Sequence, residues 1–99
     1  MTTEALISLF QSEEFDQEFL KFENVRNKLS SRPDLHAFLM LDALVPGTRN
    51  MVSSAEHDEI YLDVEIEDLA AVADPETLLD LHRCGVRYDE ETDGLAMFA

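Results

Sequence analysis

Residues 59–66 limit the fold of this chain most tightly, because their apolar and polar side chains alternate without a break. Apolar side chains occupy Ile60 and every second position up to Ile66, and the intervening side chains are tyrosine, aspartate and glutamate. Successive side chains of a strand point to opposite faces, so a period of two predicts a strand with one buried face. The other face would be acidic. Its carboxylates are Asp63, Glu65 and Glu67, and Glu59 and Asp68 stand at the two ends of the stretch.

The N-terminal half has helical spacing instead. Ser12 precedes two glutamates in the manner of an N-cap, and phenylalanines begin an apolar stripe that runs over residues 15–29. Thr3 is the expected cap of the first turn, and residues 4–29 form either one kinked helix or two. Ser31 and Asp34 have the spacing of a capping box. The helix after them, residues 35–45, is apolar nearly all round, which predicts that it is the central buried element.

The C-terminal half predicts two hairpins and a helix. Residues 48–54 form a weak strand that pairs with the strand at 59–66. Asp74 caps a helix that ends at Gly85. Two short strands, 86–88 and 95–98, follow and are joined by a turn. The predicted fold is therefore a single α+β domain, residues 1–99. Two to three N-terminal helices pack on a small antiparallel sheet, and one further helix lies between the two hairpins.

The charge is unevenly distributed. The 99 residues hold 22 acids and 7 bases, a net charge of −15; residues 1–55 hold 8 acids and 5 bases, whereas residues 56–99 hold 14 acids and 2 bases. Direct binding to nucleic acid is not expected, since lysine and arginine supply most of that affinity. An anionic membrane would repel the chain as well.

No sequence motif predicts catalysis or a cofactor. The segment DEETDG, residues 89–94, matches positions 1, 3, 5 and 6 of a calcium loop but lacks the glutamate at position 12, so it predicts a hairpin turn. His82 and Cys84 have no second cysteine at a zinc-site spacing, which predicts a buried structural thiol. We therefore expect no metal and no enzyme. The lone cysteine and the absence of a signal peptide in the N-terminal residues predict a cytoplasmic protein.

The acids carry the functional prediction. Side chains two apart on a strand repeat at about 6.6 Å, so Asp63, Glu65 and Glu67 would form a line of negative charge with few bases beside it. Such a line suits the phosphate-binding surface of another protein. A second acidic patch is predicted on a helix and in the following turn. Its members are Glu76, Asp80, Asp89, Glu90, Glu91 and Asp93.

In size, acidity and lack of catalytic motifs, though not in any residue motif, the chain resembles the nucleic-acid mimics that phages make as anti-CRISPR and anti-restriction inhibitors. The resemblance implies a non-enzymatic inhibitor that occupies the basic, nucleic-acid-binding surface of a partner protein. Two alternatives remain open from the sequence. One is an adaptor or assembly subunit whose acidity is incidental, and the other is an ordinary domain of a halophile.

Overall fold

The computed structural model describes all of residues 1–99. It contains five α-helices and four strands. The helices are α1 (Thr3–Phe10), α2 (Glu13–Glu18), α3 (Pro33–Leu44), α4 (Ile66–Val72) and α5 (Pro75–Arg83), with a short 3-10 helix at Phe22–Asn24. The strands are β1 (Val52–Glu56), β2 (Glu59–Leu62), β3 (Arg87–Asp89) and β4 (Gly94–Phe98).

The four strands form one antiparallel sheet in the order β1-β2-β4-β3. β1 and β2 are joined by only two residues, His57 and Asp58, whose φ angles are 52° and 63°. Positive φ at both positions matches the twist of a tight hairpin, and aspartate tolerates it better than most residues. Residues 90–93 join β3 to β4. Both predicted hairpins are therefore confirmed, and with them the α+β fold.

The core lies between the inner face of the sheet and the helices. Leu62, Leu95 and Met97 of the central strands are at most 6% exposed. Helices α1, α4 and α5 cover them with fully buried leucines. These leucines are Leu6, Leu69, Leu78 and Leu81. Two predicted caps are confirmed, because the side chains of Ser12 and Asp74 accept the N–H groups of Phe15 and Thr77. The cap of α1 is Thr2, one residue before the predicted Thr3.

The helical stripe predicted over residues 15–29 is wrong beyond Glu18. The chain leaves α2 at Phe19, and Leu20 has a φ of 65°. The N–H of Leu20 donates to the carbonyl of His82, and the ring of Phe19 lies 4.8 Å from the His82 ring. Contacts with α5 therefore replace the helical hydrogen bonds that the spacing of the phenylalanines predicted.

Helix α3 is not the central element that its composition predicted. Only His36, Ala37 and Leu41 are buried, whereas Leu35 and Leu39 on the opposite face are 43% and 41% exposed. The capping box of Ser31 and Asp34 is also wrong. The N-cap is Arg32, and no side chain caps the helix; Pro33 begins it, as its lack of an N–H permits.

The strand predicted over residues 59–66 ends at Leu62. The chain bends at Asp63, whose N–H donates to the carbonyl of Met51, and the extended Glu65 is the N-cap of α4, which begins at Ile66. The alternating apolar side chains remain buried as far as Ile66, where the i, i+3, i+4 spacing of a helix takes over with Leu69 and Ala70. Asp63, Glu65 and Glu67 therefore do not form a line on one strand.

Candidate functional site: an acidic surface around Tyr61

The outer face of the sheet carries charged side chains beside Tyr61, Ala96 and Phe98. Tyr61 pairs with Ala96, which in turn pairs with Arg87, so the side chains of Tyr61 and Arg87 point to the same side as those of Glu59 and Asp89. The guanidinium of Arg87 lies 4.4 Å from the ring centroid of Phe98 and forms an ion pair with Glu59. This face is the side of the sheet that does not contribute to the core.

Carboxylates from three parts of the chain lie near Tyr61: from β1, from the segment after β2, and from β3 with the turn that follows it. Burial raises the pKa of Tyr61, and the negative charges of Glu56, Asp89 and Glu91 raise it further, because each opposes a phenolate. A cleft of about 290 Å³ beside Tyr61 is lined by three further carboxylates, which belong to Asp63, Glu65 and Asp93. We call these six acids and the tyrosine the Tyr61 surface. Its carboxylates are Glu56, Asp63, Glu65, Asp89, Glu91 and Asp93.

Two arginines offset part of this charge. Arg49 makes a bidentate contact with Asp63, with N···O distances of 3.1 and 2.9 Å, and one Arg87 nitrogen lies 4.0 Å from Asp89. The other four carboxylates have no ion pair. Glu56, Glu65 and Glu91 are also exposed, and their carboxylates accept no hydrogen bond within the chain, whereas the carboxylate of Asp93 accepts a hydrogen bond from the hydroxyl of Tyr88 with an O···O distance of 2.6 Å. The surface thus keeps a net negative charge after its internal pairing.

The hairpin turn predicted from DEETDG is held by its own side chains. Asp89 accepts hydrogen bonds from the N–H and the hydroxyl of Thr92, as expected when aspartate begins a turn. The hydrogen bond to Asp93 is the main cause that raises the pKa of Tyr88 to about 12, because it stabilises the neutral phenol. Asp89 and Asp93 therefore shape the turn, and Glu91 projects freely.

Glu76 and Asp80 do not belong to this surface. Asp80 is only 3% exposed, so its prediction as a contact residue is wrong. It accepts hydrogen bonds from Arg26 at 3.1 Å and from Arg83 at 2.9 Å, while Glu76, which is exposed, shares Arg26. Since Arg83 also contacts Glu18, these side chains form an ion-pair network that joins α5 to α2 and to the segment after it. The role of Asp80 is structural.

The remaining predicted acids are exposed at the margins. Asp68 lines a small cleft together with Asp63 and Glu65, and Glu67 lies beside it in the first turn of α4. Negative charge there is favoured by the helix dipole. Glu90 accepts a hydrogen bond from the side chain of Gln11 at 2.9 Å, which ties the β3–β4 turn to the end of α1. Glu67 and Asp68 extend the Tyr61 surface towards α4.

The sequence interpretation missed Glu56 and Tyr61. The strand predicted over residues 48–54 excludes Glu56, whereas β1 extends to Glu56, and the alternation of residues 59–66 predicts no role for Tyr61 beyond an outward-facing side chain. The two-residue turn at His57 and Asp58 brings Glu56 opposite Glu59 across the hairpin. An aspartate preceded by histidine at a chain reversal is a weak turn signal, and it could have indicated this register.

The largest cleft lies elsewhere. It has a volume of about 410 Å³ and lies where α1 meets α2, with Phe10, Phe19 and His82 among its apolar and aromatic lining. Glu13 and Asp16 stand at this cleft, and Arg87 reaches it from the sheet. The Nδ1 atom of His82 lies 2.8 Å from the carbonyl oxygen of Val86 and acts as the donor. None of the acids predicted as contact residues lines this cleft.

The structure describes the surroundings of Cys84 and the distribution of the side chains that could bind a metal. Cys84 is 2% exposed, and burial raises the pKa of its thiol to about 12, which fits the predicted structural thiol. No group of three or more histidine, cysteine, aspartate or glutamate side chains has the geometry of a metal site.

None of the helices combines the length and the apolar composition that crossing a bilayer requires. Comparison of the chain with protein-family models, curated proteins and solved structures gives no match.

Proposed function

We propose that this chain is a non-enzymatic, cytoplasmic inhibitor that binds the basic, nucleic-acid-binding surface of a partner protein and blocks it. The observation that carries the proposal is the Tyr61 surface, where only two of the six carboxylates pair with an arginine. Lysine and arginine in the partner's groove would supply the missing positive charge. The proposal rests on a cluster of carboxylates and not on the straight line that the sequence predicted.

Electrostatics favours this mode of binding for two reasons. The hairpin turns and α4 hold the carboxylates on a folded scaffold, so the backbone loses little conformational entropy on association. Complementary charge also raises the association rate and selects for basic partners. Because exposed charges are screened over about 8–10 Å at ionic strengths of 0.1–0.15 M, the affinity should fall as salt rises.

The test uses three acids whose carboxylates make no ion pair and no hydrogen bond within the chain. Glu56→Lys, Glu65→Lys and Glu91→Lys together reverse the unpaired charge of the Tyr61 surface without breaking an ion pair or a hydrogen bond. The matched control is Glu4→Lys, Glu14→Lys and Glu23→Lys, which changes the net charge equally at exposed acids in the N-terminal helices. Circular dichroism should give the same spectrum for both variants and the wild type.

Each protein then serves as bait for a cell lysate, and captured proteins are identified by mass spectrometry. We expect the wild type and the control to retain a nucleic-acid-binding protein that the surface variant loses, and we expect DNA or RNA to displace it. Equal capture by the surface variant, or simultaneous binding of nucleic acid and this chain, would refute the mimicry. An incidental role of the acids would then be the better interpretation.

A further inference from the structure

Helix α3 presents an exposed stripe that has no partner within the chain. Leu35, Leu39 and Asp42 are spaced i, i+4 and i+7, so they lie on one side of the helix, opposite the buried Ala37, and the N-cap residue Arg32 precedes them at the start of the helix. The two leucines are 43% and 41% exposed. A single exposed leucine is ordinary on a protein surface. Two leucines one helical turn apart, with a base before them and an acid after them, instead have the pattern of a helix–helix contact.

Arg32 is unusual in this acidic chain. The other four arginines, Arg26, Arg49, Arg83 and Arg87, each pair with one or two carboxylates. The guanidinium of Arg32 has no ion pair or hydrogen bond, although acids outnumber bases about threefold. Asp42, at the other end of the stripe, is exposed and is likewise unpaired.

The stripe is complementary to itself in one orientation. When two copies of α3 cross antiparallel about a two-fold axis at the level of Ala37, Leu35 of one copy meets Leu39 of the other. The same register places Arg32 level with Asp42 of the second copy, because both pairs are symmetric about position 37. A parallel pairing would oppose like charges at both ends and is therefore disfavoured.

We propose that the exposed stripe of α3 is a self-association surface and that its occupant is the α3 helix of a second copy of this chain. Such an isologous contact is the usual form of a two-fold dimer. It uses residues of the less acidic first half of the chain, and none of them belongs to the Tyr61 surface, so the proposal stands independently of the proposed function. The 12 residues of α3 span only about 18 Å, and a contact of that length falls below the roughly 800 Å² per partner of a stable interface. We therefore expect a weak, reversible dimer.

Charge reversal tests the proposal sharply. Arg32→Asp gives a chain with acids at both ends of the stripe, and Asp42→Arg gives a chain with bases at both ends. Neither change disturbs α3, since aspartate is a good N-cap and arginine is favoured in a last helical turn. Each variant alone should lose at least about tenfold in dimerisation, because two attractive pairs become repulsive.

The two variants should restore the contact when they are combined. An equimolar mixture of Arg32→Asp and Asp42→Arg should form a heterodimer, and the double variant Arg32→Asp/Asp42→Arg should dimerise like the wild type. Sedimentation equilibrium at protein concentrations up to about 1 mM and about 0.15 M salt covers the range of such weak contacts. Asp34→Arg, an exposed acid of α3 outside the stripe, is the control and should leave the association unchanged.

Cross-linking tests the register. A mixture of Leu35→Cys and Leu39→Cys chains should form a mixed disulfide faster than either chain alone, and the buried Cys84 does not compete. A wild type that remains monomeric at 1 mM would overturn the proposal. So would a mixture of the two charge variants that associates no better than each alone.

Discussion

Asp80 and Glu76 allow a direct comparison of a buried acid that stabilises the fold with an exposed acid on the same helix. Its side chain is 5% exposed and accepts hydrogen bonds from Arg26 and Arg83, whereas Glu76, one helical turn earlier, is 73% exposed and contacts only Arg26. Asp80→Asn keeps the shape of the side chain. It removes the negative charge and turns one of the two acceptor atoms into a donor that faces an arginine.

The cost of Asp80→Asn follows from the two contacts. A hydrogen bond to a charged group contributes about 1.5–3 kcal/mol net, and breaking a fully buried ion pair costs about 3–5 kcal/mol. Arg26 is half-exposed, so water replaces part of its loss, and Arg83 keeps Glu18 at 2.8 Å. We therefore expect the free energy of unfolding to fall by about 2–3 kcal/mol, between the loss of one hydrogen bond and that of a fully buried pair.

Urea unfolding followed by circular dichroism measures this difference. In thermal unfolding the same loss corresponds to a Tm lower by roughly 8–24 °C for a domain of this size. Glu76→Gln is the matched control, and it should cost at most about 1 kcal/mol because surface ion pairs contribute little. The reasoning fails if the two substitutions destabilise the chain equally, since Asp80 would then be no more buried in solution than Glu76.

Two further predictions concern pH and the backbone. Burial lowers the native pKa values of His36 and His82, so the unfolded chain takes up protons first as the pH falls below about 6.5. The free energy of unfolding should therefore decrease between pH 7.5 and 5.5, and a urea midpoint that rises over this range would contradict the burial of both imidazoles. Gly85 has a φ of 104°, and a Cβ atom there would lie 2.9 Å from Leu20. Gly85→Ala should therefore lower the free energy of unfolding in urea by about 1–3 kcal/mol. The control is Gly47→Ala, which has open space around it and should change that free energy by less than about 0.5 kcal/mol. Equal effects of the two substitutions would argue against strain at Gly85.

The sequence determined the fold class because its signals were local. Proline after Asp74 and glycine at the end of α5 delimit a helix through backbone geometry alone. The turn residues that separate β3 from β4 act within a few residues in the same way. Two hairpins, the caps at Ser12 and Asp74 and the α+β class were therefore predictable before any tertiary contact was known.

Tertiary contacts decided the path of the chain where two periodicities fit the same residues. Ile66 continues the alternation of β2 and also begins the helical spacing of α4, and burial against the core selected the helix. The sequence of α3 does not indicate which face of the helix is buried, because apolar residues occur all round it. Packing buried His36 and Leu41 and left Leu35 and Leu39 exposed.

The negative charge of the candidate site was predictable from the sequence, but the identity of the carboxylates that form it was not. The excess of acid in the second half of the chain is a property of the sequence, and it is the reason why the predicted contact residues all lie in that half. Which carboxylates remain free depends on where the few arginines lie. Arg83 lies three residues after Asp80 on the same helix, a spacing that the sequence shows, whereas Arg26 lies 54 residues away, and only the fold reveals that pairing. Only the folded sheet, in turn, brings Glu56 and Glu91 to the same tyrosine.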